Sequence, residues 1–530
     1  EDMKVQTKGE FGGLGIEVTM ENGFVKVISP IDNTPAYKAG IKSGDYITHL
    51  DKKSVVGLTL NEAVSKMRGP VGSKLKVTVG RKNMEPFDVT IKRDIIKITS
   101  IRSRLEKDVG YVRITTFSEQ TKKSAAEAIK KLDLPPAKLD IGKLTYEYHL
   151  EDNKYADALA FVSDKLKDAK KQKDIVPKDV VLYGFGRIGR LLARELMTRT
   201  GKGNQMRLRA IVTRGTIDQT VLEKRASLLE CDSVHGDFPG TVSVDIENSA
   251  LIINGTTVHM ISANQPEDID YKKYGIDNAL VIDNTGAFRD EEALSRHLNA
   301  KGAAKVLLTA PGKGVPNIVH GVNHKEYDPN KIDIFSAASC TTNAITPVLK
   351  VMEDSFGVHH GHLETIHAYT NDQNLVDNMH KKYRRGRAAA LNMVITETGA
   401  GKAVSKALPS FEGKLTSNAI RVPVPNGSLA ILNLSLEKTT SVDAINATMK
   451  KYALEGDLVE QIKYSLSNEL VSSDIVGTSA PAIYDSNATI VTADGKNAIL
   501  YVWYDNEYGY SHQVIRLAKY ISKVRRYTYY

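Results

Sequence analysis

The chain has 530 residues, 41% hydrophobic and 25% charged, which excludes a wholly disordered or fibrous protein and, at ~150 residues per domain, suggests three or four domains. Two cysteines, Cys231 and Cys340, exclude a disulfide framework and fit a reducing compartment or one special thiol. No apolar run approaches the ~20 residues of a bilayer span, so no membrane partner is expected. Most of the net charge of +9 lies in residues 1–133, with 24 Lys and Arg against 17 Asp and Glu. No aromatic-interleaved basic stripe accompanies it, so a solvated face is expected and no nucleic-acid partner. No signal peptide is in view, and a chain starting at Glu1 is compatible with an upstream targeting segment.

In chain order, short alternating runs predict strands at 24–28, 46–50, 75–79 and 87–91, with Gly23, Gly44, Gly57, Gly72 and Asn83 at the turns. Leu60, Ala63, Val64 and Met67 follow helical spacing, with Thr59 and Glu62 as a capping box and Gly69-Pro70 as the stop. On these elements lie Gly13-Leu14-Gly15-Ile16, the run Pro35-Ala36-Tyr37-Lys38-Ala39-Gly40-Ile41-Lys42-Ser43-Gly44-Asp45, and Met67-Arg68-Gly69. This set resembles a PDZ domain, closest in flavour to those of bacterial C-terminal processing proteases. The resemblance implies a carboxylate-binding loop at Gly13, Leu14, Gly15 and Ile16, with a C-terminal peptide as possible partner. The run at 108–118 and a helix at 124–132 resemble the start of the protease domain that follows such a module. Nothing after residue 133 matches the protease's nucleophilic serine and lysine, so a peptidase is not expected.

Residues 134–176 open on Pro135-Pro136 and read as a charged, helix-prone extension, with a helix over 155–171. An apolar strand at 179–183 then runs into Gly184-Phe185-Gly186-Arg187-Ile188-Gly189-Arg190 and a helix over 191–198. G-x-G-x-x-G between strand and helix is a dinucleotide-binding turn. Gly184 allows the tight bend, Gly186 the approach of a pyrophosphate, and Gly189 close helix–strand packing. The next strand, 208–213, ends in Thr213-Arg214-Gly215 rather than in a ribose-binding acid, and Asp218 lies a few residues on. Both NAD and NADP therefore stay open, with a slight lean to NADP.

Ser339-Cys340-Thr341-Thr342-Asn343 follows a strand-like run at 332–335 and opens a helix over 344–352. A helix start is expected to lower the thiol pKa and make Cys340 a nucleophile. Cys231 lacks such a setting. His359, His360 and His362 cluster without convincing metal-ligand spacing, so no metal is expected.

Further motifs follow in order: 365–373 around His367, 384–390 around Arg385, Thr398-Gly399, 421–426 and 503–510. With the glycine turn and the cysteine run they resemble glyceraldehyde-3-phosphate dehydrogenase over about 177–525, and 134–176 is similar to the extension of its long bacterial form. The resemblance implies a multidomain fold: a PDZ-like β-sheet with a helix at 1–98, an orphan βα fragment at 99–133, and a helical extension at 134–176. A Rossmann α/β domain at 177–339 and 507–530 and an α+β catalytic domain at 340–506 complete it. It implies Cys340 as nucleophile and His367 as general base. Ser339, Thr341, Thr370, Arg385, Thr398, Gly399 and Arg421 are implied at two phosphate sites. Gly184, Phe185, Gly186, Arg187, Ile188, Gly189, Thr213, Arg214, Thr285, Thr309 and Asn506 are implied around NAD or NADP. The implied activity is phosphorylating oxidation of glyceraldehyde 3-phosphate to 1,3-bisphosphoglycerate through a cysteine thioester, in a homotetramer whose partners are a phosphorylated aldehyde and inorganic phosphate. The dehydrogenase part is implied to be cytoplasmic, while the PDZ part resembles extracytoplasmic proteins. Erythrose-4-phosphate dehydrogenase, or a peptide-binding adaptor carrying an inert dehydrogenase, are the alternatives. Tyr183 and Gly386 stand where asparagine and alanine are common in the family. A join of two separate genes near Asp133, natural or made, is expected, and the aromatic end 527–530 could occupy a neighbouring PDZ groove.

Overall fold

The structure, a computed structural model, describes residues 10–21, 23–30, 34–81, 84–97, 101–106, 109–114, 129–132, 134–151, 154–171, 175–199 and 203–529. They form two compact units, one of residues up to 172 with Tyr527–Tyr529, the other from 173 to 526.

The first unit opens with an antiparallel sheet in the order Ile16–Glu21, Phe24–Pro30, Tyr46–Leu50, Lys74–Gly80, Phe87–Lys92. Alternation makes it: Leu75, Val77 and Val79 are buried while the residues between them are not. Helix Leu60–Met67 starts at the expected capping box, Thr59 accepting from the Glu62 N–H and Glu62 accepting from Thr59. Arg93 ends that helix from within, donating to the Lys66 and Met67 carbonyls at 3.0 Å each. Beyond this PDZ sheet, Val109–Ile114 pairs with Ile101–Glu106. Most of the helix expected over 124–132, and residues 115–118, lie outside the described residues.

The extension differs from one helix over 155–171. It has helices Ile141–Leu150, Ala158–Lys165 and Lys167–Lys170. Asp157 caps the second, accepting from the Ala160 N–H at 2.8 Å, and the chain breaks at Leu166, buried among Phe161, Val162 and Ala169. The aromatic end does not project as a free tail. Thr528–Tyr529 pairs in parallel with Lys138–Leu139, and the Tyr529 hydroxyl donates to Glu147.

The second unit holds two eight-stranded sheets. In the first, six parallel strands run Thr256–Ser262, Met206–Thr213, Lys178–Tyr183, Ala279–Asp283, Ala303–Leu308, Ile334–Ser336. Lys178–Tyr183 is buried almost throughout, as a central parallel strand covered on both faces must be. Helix Arg187–Arg199 follows it, and the last helix, Tyr508–Ile521, shares its core through Val514, Leu517 and Ile521. The other sheet is mostly antiparallel around Val358–Ala368, Ser428–Leu436 and Asn497–Tyr504, its buried face covered by helices Cys340–Phe356, Ala400–Ala407 and Val442–Leu454. The fold is thus multidomain: a PDZ-like β-sheet with a helix, a Rossmann-type α/β domain and an α+β domain. No helix among the described residues is long and apolar enough to cross a membrane.

Candidate active site

The three glycines of the turn do three different things. Gly184 takes φ +100°, a conformation open to glycine. A Cβ on Gly189 would lie 2.4 Å from the Gly184 carbonyl oxygen, so helix and strand meet only because it has none. A Cβ on Gly186 would meet nothing within 4 Å. The turn opens onto a cleft of about 410 Å³ lined by Tyr183, Gly184, Phe185, Gly186, Arg190, Thr213, Arg214, Arg225 and Thr285, among others. A dinucleotide fits the residues present: open space over Gly186, the N-terminus of Arg187–Arg199, and an Arg190 Nε buried without a partner.

The other expected cofactor residues divide. The Arg187 side chain is engaged elsewhere, paired with Asp232 at 2.8 Å and with Glu507. Ile188 packs on the core. These two positions offer a ligand backbone rather than side chain. Thr285 donates to Asp283 Oδ1 at 2.7 Å and Thr309 to the Asp283 carbonyl at 3.0 Å, so both are braced by one buried residue. Asn506 accepts from the Ser428 hydroxyl at 2.8 Å, which fixes its carboxamide with the NH2 as donor end. Asp218 has a local partner. It caps helix Gln219–Glu230, accepting from the Val221 N–H at 2.8 Å. Tyr183 lines the cleft, its ring 4.7 Å from that of His297.

The thiol stands at the first position of Cys340–Phe356, with Ser339 as N-cap accepting from the Thr342 N–H at 3.1 Å. Ala338, just before, holds φ +55°, a strained value for a residue with a side chain. Ser336 Oγ takes its N–H at 3.1 Å and the Tyr510 hydroxyl donates to its carbonyl at 2.8 Å, so the turn is held from both sides. Cys340 Sγ lies 3.6 Å from His367 Nε2. His367 comes from Val358–Ala368, and the parallel register with Leu415–Val422 sets Arg421 directly beside it.

His367 Nδ1 is 2.7 Å from the Ala368 carbonyl, and Arg421 donates to that same oxygen at 2.9 Å. Arg421 Nη1 also lies 2.9 Å from Nδ1, so the carbonyl favours a proton on Nδ1 while the guanidinium favours the other tautomer; a base toward the thiol uses the first, with the Nε2 lone pair free. Burial, helped by the Arg421 charge, lowers the His367 pKa to about 3, so the ring is neutral at pH 7. The expectation of a depressed thiol pKa is corrected. Burial pushes the Cys340 thiol up, outweighing the pull of Arg421. At rest the pair is a thiol facing a neutral imidazole.

Around this pair the expected anion-binding residues are unevenly available. Arg421 keeps Nε buried and without a partner. Arg385 donates from Nε to Thr396 at 3.0 Å and pairs with Asp372. The hydroxyls of Ser339 and Thr341 are engaged, Ser339 with Thr342 at 2.7 Å and Thr341 with the Tyr504 hydroxyl at 3.0 Å. Thr398 accepts from the Ala400 N–H at 3.2 Å, Gly399 has open space over its Cα at the start of Ala400–Ala407, and Thr370 is half-buried just past the end of the His367 strand. Gly386 cannot carry alanine in this conformation, since its Cβ would lie 2.3 Å from the Asn378 carbonyl oxygen. Cys231 is exposed. His362 sits between Thr416 and Asn418, and among the described residues no group of three or more His, Cys, Asp or Glu is placed to hold a metal.

Sequence reasoning missed the braces. Tyr504 bridges Thr341 and Thr365, and Asp505 accepts from the Glu507, Tyr508 and Gly477 N–H groups, fixing Asn506 from next door. Their only sequence signal was to lie inside a motif.

Cleft and thiol pair together fit a dinucleotide-dependent dehydrogenase. Comparison with known proteins narrows the class. Residues 178–291 match the glyceraldehyde 3-phosphate dehydrogenase NAD binding domain, 339–506 its C-terminal domain, and 12–92 a PDZ domain. A glyceraldehyde-3-phosphate dehydrogenase-like protein of Pseudomonas aeruginosa is 52% identical over 395 residues, 74% of this chain and 85% of the relative. Glyceraldehyde-3-phosphate dehydrogenase 2 of a Nostoc species and glyceraldehyde-3-phosphate dehydrogenase 1 of Bacillus subtilis are each 41% identical over 345 residues, 65% of this chain and 98% of the relative. The chain belongs to the glyceraldehyde-3-phosphate dehydrogenase family, and it is an enzyme of that family taking NAD or NADP.

Proposed function

We infer that the second unit carries out the phosphorylating oxidation of glyceraldehyde 3-phosphate to 1,3-bisphosphoglycerate. The observation that carries this reading is the 3.6 Å pair of Cys340 Sγ and His367 Nε2 beside an Arg421 whose Nε lacks a partner. As Sγ adds to the aldehyde carbon, its proton passes to Nε2 and on to the carbonyl oxygen, giving a hemithioacetal. A bound nicotinamide supplies the hydride acceptor. Nε2 takes the hydroxyl proton as the carbonyl re-forms, now a thioester. A phosphate oxygen then adds to the acyl carbon and Sγ leaves as thiolate. Arg421, with Arg385 and Thr398, would hold the two phosphate groups. The residues fixing the nicotinamide end are Asn506 and the Ser428 that orients it.

The test follows cofactor reduction with glyceraldehyde 3-phosphate or erythrose 4-phosphate, with and without phosphate. Phosphate-dependent turnover of the triose is expected, abolished in Cys340→Ala and lowered roughly 10²–10⁴-fold in His367→Asn. Faster turnover of erythrose 4-phosphate would move the substrate. No turnover by folded protein would sink the reading and favour an adaptor with an inert carrier.

The same reading takes the cytoplasm as the compartment, supported by two free cysteines. It takes a homotetramer as the assembly, supported by Leu375, Val376, Met379, Tyr383, Leu391 and Met393, all strongly exposed on one segment. For the first unit it takes capture of a C-terminal peptide. Among the described residues Ile16–Glu21 is an edge strand, paired on one side with Phe24–Pro30. The carbonyls of Leu14 and Gly15 are engaged by the Ala36 N–H and the Thr34 hydroxyl, which supports a turn whose N–H groups serve a carboxylate.

A further inference from the structure

The lining of the dinucleotide cleft is arginine-rich and acid-free. Strand Met206–Thr213 stops where folds of this kind set a carboxylate against the ribose hydroxyls of the adenosine. Here the next residues are Arg214 and Gly215, and the first carboxylate downstream, Asp218, is held as a helix cap. Three guanidinium groups line the cleft instead: Arg190 from the helix after the glycine turn, Arg214 from the strand end, and Arg225 from Gln219–Glu230.

Their partners are poor. Arg190 and Arg225 reach the same acceptor, the Phe185 carbonyl, at 3.5 and 3.4 Å. Arg190 Nε is buried with no partner. Arg214 is exposed, and no carboxylate pairs with it among the described residues. Arg187, one helical turn before Arg190, shows what a satisfied arginine looks like in this region, with Asp232 and Glu507 both on it. Burial and the neighbouring charges of Arg187 and Arg225 hold the Arg190 pKa down, the mark of cations gathered without enough anion.

The geometry points to a phosphate site in this cleft, in which Arg214 and Arg225, backed by Arg190, hold the 2′-phosphate of an adenosine ribose, so that the enzyme takes the 2′-phosphorylated dinucleotide in preference to the plain one. The inference rests on the dinucleotide reading of the cleft. A guanidinium fork matches a phosphate dianion in shape and charge, and a bare 2′-hydroxyl gains nothing comparable from three cations.

The test is direct binding to the full chain by titration calorimetry, with NADP and NAD as one pair of probes and adenosine 2′,5′-bisphosphate and AMP as a second. The 2′-phosphorylated member of each pair is expected to bind about tenfold tighter or more, a margin that shrinks as salt is raised. Arg214→Gln and Arg225→Gln should each lower the ratio of the two affinities about tenfold, and Arg214→Asp should invert it. Arg214 is exposed, so its variants decide the matter even where an Arg225 variant folds poorly. Equal affinities in the unaltered chain would overturn the inference alone. So would an Arg225→Gln effect identical on both members, which would give the arginines to the diphosphate. Failure of all four probes to bind folded protein would overturn the dinucleotide reading and this inference with it.

Discussion

In the first unit, Gly15 holds φ +82° and its missing Cβ points at Thr34 Cβ, 2.3 Å away. In the second, Gly186 ends a similar strand-to-turn passage with nothing within 4 Å. The units also bury charge differently. In the PDZ sheet, Asp45 is gripped by Arg81 at 2.7 Å and Arg93 is tied to helix carbonyls and Ser73. In the dehydrogenase unit, the Arg190 and Arg421 Nε atoms are buried with none. Buried polar groups are normally satisfied, so these two, lying at the cleft and beside the thiol, stand where a ligand would complete the structure, and a closed turn differs from a poised one by what its glycines touch.

Acid should separate the two units most. His320, His324, His367 and His512 are all buried in the dehydrogenase unit. Burial lowers His324 to about 4, His367 and His512 to about 3, and His320 well below its usual value. Unfolded, each titrates near 6.5, so the unfolded chain takes the protons first. Stability is then complete above about pH 6.5 and falls as pH drops toward the folded values, by ~1.4 kcal/mol per pH unit for each histidine. The shifted acids of the PDZ sheet are exposed. Glu21, Glu62 and Asp88 are lowered by Lys26, Thr59 and Lys76, and their contribution goes only below about pH 4.5. Thermal melts at pH 7 and pH 5 should show the dehydrogenase transition falling steeply and the PDZ transition barely moving. Parallel shifts would refute the contrast.

Two substitutions rank next. Gly15→Ala meets both the left-handed backbone, at ~1–2 kcal/mol, and a side chain that must yield, at ~1–3 kcal/mol. The PDZ transition should drop sharply in a melt, and an unchanged midpoint would mean that Thr34 moves freely. Gly189→Ala carries no φ strain but drives a methyl against a backbone carbonyl, so a loss of ~1–3 kcal/mol is expected in the other unit alone. Denaturant unfolding followed at Trp503, which lies in that unit, would read it.

The same contrast explains what the sequence could carry. Period-two and period-3.6 patterns made the PDZ strands, the 60–67 helix and the Rossmann turn legible, because burial of one face enforces them. The thiol and its base were legible as motif members, yet the sign of the thiol's shift was not. It depends on how deeply Cys340 is packed and on an arginine that arrives only through the register of two strands. Asp218 could have been a ribose ligand on sequence, and only its hydrogen bond to the Val221 N–H shows it to be a cap. The break at Leu166 was invisible because 155–171 is rich in Ala, Leu and Lys and holds no Gly or Pro, and tertiary burial of Leu166 overrides that preference.

The smallest expected effect on stability is the most telling about function. Gly186→Ala adds a methyl in ordinary backbone space, so the melting midpoint should stay within about 0.5 kcal/mol of the parent. The space that methyl enters is where a diphosphate would approach the turn and the first N–H groups of Arg187–Arg199. Dinucleotide affinity should therefore fall about tenfold or more while AMP, which lacks the bridging diphosphate, loses less. A variant with unchanged stability and unchanged dinucleotide affinity would mean that Gly186, like Gly15, is glycine for the fold's sake, and the distinction between the two turns would collapse.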